Sequence, residues 1–176
     1  SSDLKTLSDI KEIGFSGKNG SYSVILNNID FDLSIVKSAE KSIGGLKADK
    51  SNIQLFMDII NSYKGPLLED KGYIWLEPLR EEYNKVFIKA SFQASEYYTK
   101  EYVNKSALAV LEKLFKFFPL NEKACLMLCD LYEREGNKIS AVETIHNHIS
   151  ALKNMLDMKP SKNIKSRLKK LTTESF

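Results

Sequence analysis

Cys125, Cys129, His146 and His148 are the side chains of this sequence best suited to hold a soft metal. On a helix, Cys125 and Cys129 share a face at i, i+4, and the histidines come from the following helix. No C-x-x-C or H-x-x-x-H spacing accompanies them, and stacked helices bury small residues at such positions. They therefore read as packing, with no metal ligand assigned. A cysteine nucleophile needs a lowered pKa and a neighbouring base, and the spacing supplies neither. Glu77, Glu81 and Glu82 form a second cluster, with the composition of paired catalytic acids. They fall in the first turns of a helix, where carboxylates complement the positive end of the helix dipole. The sequence contains no phosphate-binding glycine loop, no G-x-S-x-G elbow and no H-E-x-x-H pair. The expectation is a chain with no catalytic residue and no cofactor, not an enzyme.

The remaining chemistry is charge. Lys159, Lys162, Lys165, Arg167, Lys169 and Lys170 follow one another without an intervening acid. Such a run contacts phosphates or an acidic partner, or it is the solvated face of a terminal capping helix. Lysine outnumbers arginine 23 to 3, so few residues suit bidentate phosphate or guanine recognition. Arg80 and Arg134, two of the three arginines, stand beside aromatics at helical spacing. With Tyr83 they are expected to anchor a protein partner. Lys18 and Asn19 sit at a candidate turn, from whose tip a lysine can reach a phosphate.

The elements that must position these residues follow from punctuation. The chain has 176 residues and a net charge of +3, which sizes it as one domain, or one plus a fragment. With 43% hydrophobic and 28% charged residues, disorder and collagen are excluded. No apolar run approaches the ~20 residues of a membrane span. Two cysteines four apart make no disulfide framework, so a reducing cytoplasm is expected. Seven of the eight glycines lie at or before Gly72. The first residues read as a helix end (Leu4, Leu7, Ile10) and then a β-hairpin, because Asn19-Gly20 suits a type I′ turn and Tyr22, Val24 and Leu26 alternate.

The rest reads as helices. The stripes are Leu33 to Ile43, Ile53 to Tyr63 (with Ser51-Asn52 as cap), Leu76 to Tyr97, Val103 to Phe118, Asn121 to Glu135, Lys138 to Leu156, and a last helix after Pro160-Ser161. One constant shift aligns Tyr98 with Tyr132, Ala107 with Ala141, Leu111 with Ile145, Phe92 with Leu126 and Ala94 with Leu128. That shift is the tetratricopeptide period. The predicted fold class is all-α, with tetratricopeptide-like repeats, about seven helices and a small N-terminal β-hairpin. Leu67, Leu68 and Trp75 are expected to be buried where the first helix pair seats on the repeats.

Five phrases occur in order: Tyr63-Lys64-Gly65-Pro66-Leu67-Leu68-Glu69-Asp70; Trp75-Leu76-Glu77-Pro78-Leu79-Arg80-Glu81-Glu82-Tyr83; Phe118-Pro119-Leu120-Asn121-Glu122; Leu131-Tyr132-Glu133-Arg134-Glu135-Gly136-Asn137; and Pro160-Ser161. Together they resemble the bacterial transcriptional activator domain, the tetratricopeptide-like module of antibiotic-pathway regulators and some response regulators. The resemblance covers residues 29–176. It implies that residues 1–28 are the C-terminal remnant of a winged-helix DNA-binding domain, a helix end plus its wing. It further implies that the intact regulator binds DNA, whereas this chain alone does not do so sequence-specifically. The implied role is to couple the DNA-bound domain to a protein partner, RNA polymerase or a second copy of itself, away from any membrane. A small-ligand sensor and a stand-alone tetratricopeptide adaptor are the alternatives.

Overall fold

The computed structural model describes residues 13–18, 21–26, 41, 43–66 and 77–173. Six helices, rather than about seven, stand among the described residues. They are α1 (Ile53–Ser62), α2 (Glu77–Lys100), α3 (Asn104–Phe117), α4 (Glu122–Arg134), α5 (Lys138–Leu156) and α6 (Lys162–Thr173). Of the helix expected over Leu33 to Ile43, only Lys41 and Ile43 are described, and both are helical. From Ile43 onward the described residues form helices and turns, with no strand. Upstream, β1 (Ile13–Lys18) pairs antiparallel with β2 (Ser21–Leu26), placing Lys18 opposite Ser21. The Asn19-Gly20 turn lies outside the described residues, as do Leu67, Leu68, Trp75 and the segment before residue 13.

The helices stack in chain order, each packing mainly on its neighbour in sequence. Their boundaries repeat with the period of the sequence. The end of α2 at Lys100 maps onto the end of α4 at Arg134, and the start of α3 at Asn104 onto the start of α5 at Lys138. The turns repeat with them. Val103 N–H donates to the Tyr98 carbonyl at 2.8 Å, and Asn137 N–H donates to the Tyr132 carbonyl, also at 2.8 Å. These bonds close helix ends that reverse through a left-handed residue. The left-handed residue is Gly136 (φ 72°) in one turn and Tyr102 (φ 59°) in the other. Glycine adopts that conformation without a steric cost, and tyrosine does not.

Side-chain caps start the later helices. Asn121 accepts from Ala124 N–H and Asn137 from Ser140 N–H, each at 3.1 Å. The Ser161 hydroxyl accepts from Ile164 N–H at 3.2 Å and donates to Glu122 at 2.9 Å, so the cap of α6 is also tied to α4. At α1 the expected cap is not made, because the Asn52 side chain bonds no N–H of the helix. Asn52 accepts from the Asp49 backbone N–H at 2.8 Å, while the Asp49 carboxylate takes the Ser51 hydroxyl at 2.6 Å and the Ser51 N–H at 2.8 Å. The Ser51 hydroxyl holds the Asp49 carboxyl below its usual pKa.

Two cores result. The first gathers Phe56, Ile59, Ile60 and Tyr63 of α1 and the segment after it, with Val86, Phe87, Ala90 and Ala94 of α2, and Ala107, Val110, Leu111 and Leu114 of α3. The second joins Cys125 and Cys129 of α4 to Ala141 and Ile145 of α5 and to Ile164 and Leu171 of α6. Helix α4 feeds both, because Ala124, Leu128 and Leu131 belong to the first core while Cys125 and Cys129 belong to the second. The repeat-aligned pairs Ala107 and Ala141, and Leu111 and Ile145, are all fully buried. Alanines at such positions let helix backbones approach closely.

Tyr63 sits at the crossing of three helices. Its ring stacks on Phe87 at 3.9 Å and on Tyr83 at 4.8 Å between centroids, and meets the edge of Phe117 at 5.2 Å. Its hydroxyl donates to Asn84 Oδ1 at 2.7 Å. From α3, the Lys113 ammonium donates to the Ile60 carbonyl near the end of α1. Burial, and then Lys64, holds the Lys113 pKa below its ordinary value.

Two stability measurements check this description. Tyr63→Ala should cost about 3–5 kcal/mol in a denaturant titration, as for removal of a large buried ring. Tyr63→Phe, which loses only the hydroxyl bond, should cost about 1 kcal/mol. Tyr102→Gly should instead raise stability by about 0.5–1 kcal/mol, since the left-handed penalty of tyrosine exceeds the backbone entropy that glycine adds.

Candidate interaction face

Alternate helices lie side by side on one flank of the stack. Lys123 of α4 reaches back to Glu96 of α2 at 3.2 Å, and its ammonium lies 4.2 Å from the Phe92 ring centroid. Arg167 of α6 reaches α4, where one guanidinium nitrogen donates to both Asp130 and Glu133. Between α2 and α4 is a hollow of about 90 Å³ lined by Thr99, Met127, Asp130, Leu131 and Arg134. Helices α2, α4 and α6 thus present one face of paired charges, an aromatic and a methionine.

The three arginines take three different roles. Arg134 is exposed, lines the hollow and makes no ion pair among the described residues. Arg80 is mostly covered, its side chain 13% accessible, and pairs with Glu77 at 2.5 Å across the first turn of α2. Arg167, counted by the sequence as one of an exposed basic run, turns inward and is 19% accessible. The signal for Arg167 lies in the helix period: Ile164, Leu168 and Leu171 mark the covered side of α6, and position 167 borders it. Tyr83 is corrected as an interface anchor. It is 4% exposed and stacked on Tyr63, so its ring belongs to the core and is covered from any partner. Lys18 ends β1, and Asn19 lies outside the described residues.

The cysteines and His148 lie elsewhere, in the second core and beside it. Cys129 Sγ lies 3.4 Å from the Ala141 carbonyl oxygen, and Cys125 Sγ lies 3.8 Å from that of Thr144. The Cys129 thiol, and then burial, pushes the Cys125 thiol upward. His148 is 1% exposed and its Nδ1 lies 2.8 Å from the Pro119 carbonyl oxygen. A carbonyl only accepts, so Nδ1 carries the proton. No three His, Cys, Asp or Glu side chains among the described residues are grouped to hold a metal ion. Of the aromatics, Tyr132 donates to Glu112 at 2.6 Å; burial, and then Glu112, pushes its phenol upward.

A family model described as the bacterial transcriptional activator domain matches residues 37–171. The chain belongs to this family. No curated protein matches the sequence. The bacterial transcriptional activator domain is a regulatory module of transcription regulators, and its match runs from upstream of α1 to Leu171 in α6. The face formed by α2, α4 and α6 therefore falls almost wholly within the matched segment. Among the described residues no helix is long and apolar enough to cross a membrane.

The inward turn of Arg167 is testable. Arg167→Met keeps the aliphatic bulk but leaves Asp130 and Glu133 facing each other. It should cost about 1–2 kcal/mol, between an exposed and a buried ion pair. The difference from the parent chain should shrink in ~1 M salt, where charge is screened within about 3 Å.

Proposed function

We propose that this chain is a non-enzymatic interaction module of a cytoplasmic bacterial transcription regulator, and that it docks a protein partner on the face of α2, α4 and α6. The observation that carries the reading is Arg134. It is the one arginine of the three that makes no ion pair among the described residues, and it lines a hollow together with Met127 and Leu131. Arginine beside an apolar pocket has the composition of an interface anchor, a charge-assisted donor fork with a greasy neighbour. The hollow, about 90 Å³, is well below the roughly 300–1,000 Å³ of small-molecule pockets. A space of that size takes one partner side chain rather than a small molecule.

In this reading residues 1–28 are the end of a winged-helix domain, and the helical module passes its DNA-bound state to RNA polymerase or to a second copy. Lys18 and Asn19 then touch DNA only weakly, through the wing. Arg80 and Tyr83 contribute by holding α2 in place, and Arg134 meets the partner.

Arg134→Ala should leave the melting temperature of the chain within about 1 °C, because an exposed side chain without an ion pair contributes little to stability. In the intact regulator it should lower promoter activation by tenfold or more, while promoter affinity changes less than twofold, consistent with a hot-spot arginine worth about 1.4 kcal/mol or more. Equal losses in both measurements would move Arg134 to the DNA side. Unchanged activation would remove the docking face.

A further inference from the structure

We propose that the end of α5, the turn after it and the outer side of α6 form a second docking surface, which takes an acidic protein segment carrying apolar anchor residues. The observation is independent of Arg134. Helix α5 has 19 residues against 13 for α4, its antiparallel neighbour across a short turn. At 1.5 Å per residue its last turns overhang by roughly 9 Å. Met155 at the overhang is 62% exposed, Leu156 51%, and Met158 in the turn 55%. Leu156 continues the apolar stripe of α5, yet α6 covers its own Ile164 and Leu171 against α4 and α5 and leaves Leu156 uncovered. Three large apolar side chains so close in sequence, each more than half exposed, make a patch that water solvates poorly.

Charge says what covers the patch. Lys153 and Lys159 flank it in sequence, Lys162, Lys165 and Lys169 are exposed along α6, which follows it, and Asp157 is the one acid between residues 153 and 173. Asp157 itself is left-handed, φ 50°, and turns the chain between α5 and α6. Exposed lysines that flank and follow an apolar turn are complementary to a segment that carries carboxylates beside leucine or phenylalanine. The methionines suit such a segment because their unbranched side chains re-pack against different anchors. A nucleic acid backbone is a poorer match. It offers phosphates to the lysines but nothing to Met155, Leu156 or Met158. The one arginine of α6 is also already held by Asp130 and Glu133.

The test is fluorescence anisotropy of the 176-residue chain with a labelled amphipathic peptide of Glu and Asp with Leu and Phe anchors. A peptide with lysine in place of the acids serves as control. Saturable binding is expected for the acidic peptide only, weakened at least about tenfold by Lys162→Glu with Lys165→Glu and Lys169→Glu. A similar loss is expected for Met155→Ser with Leu156→Ser and Met158→Ser. All six positions are exposed, so circular dichroism melting should be unchanged in both variants. Absence of saturable binding overturns the proposal. So does binding of a random-sequence duplex that the charge variant loses and the apolar variant keeps, which would make the surface a phosphate contact. Concentration-dependent self-association that the apolar variant abolishes would also overturn it, in favour of a second copy.

Discussion

The stack of Tyr63 on Phe87 and Tyr83 is the contact on which the rest of the molecule depends. It brings the segment after α1 against α2, and through Phe117 it brings the end of α3 against both. A tyrosine can do this because one ring offers two faces and an edge, while its hydroxyl still finds Asn84. The helix ends beside it must then find their own partners. The Lys113 ammonium does so for the Ile60 carbonyl. With α1, α2 and α3 set in this way, α4 meets a finished surface rather than a loose pair.

From α3 onward the structure propagates by repetition. The same hydrogen bond closes the turns at Tyr98 and Tyr132, and the same alanine, Ala107 and then Ala141, admits the next helix. Helix α4 transmits the pattern because it is buried on two sides, at Leu128 toward the first core and at Cys129 toward the second. The stack ends where Arg167 and Ser161 fasten α6 to α4. What it offers is faces. The bacterial transcriptional activator domain, a regulatory family, uses a scaffold of that kind here.

The sequence names Arg134 among the residues of the candidate face, but not the roles of the three arginines. Arg80, Arg134 and Arg167 are equivalent as letters. Which one remains exposed depends on the carboxylates that surround each: Glu77 from within α2 for Arg80, and Asp130 with Glu133 from α4 for Arg167. Tyr83 illustrates the same limit. Its spacing marks it as an aromatic on a stripe, and only the position of Tyr63, on a different element, decides that the ring is covered.

The sequence by itself determined the helices from Ile53 onward, the cap of the last one at Ser161, the turn at Gly136, and the period of the repeat. These rest on local dihedral preference and on periodicity, both of which act within a few residues or between equivalent positions. The tertiary structure decided which charges are neutralised, that Tyr102 fills the left-handed position held by Gly136 in the next turn, and that Met155 and Leu156 at the end of α5 stay uncovered. Those outcomes depend on distances between elements far apart in the chain, and such distances are set by how side chains of several helices fill one shared volume.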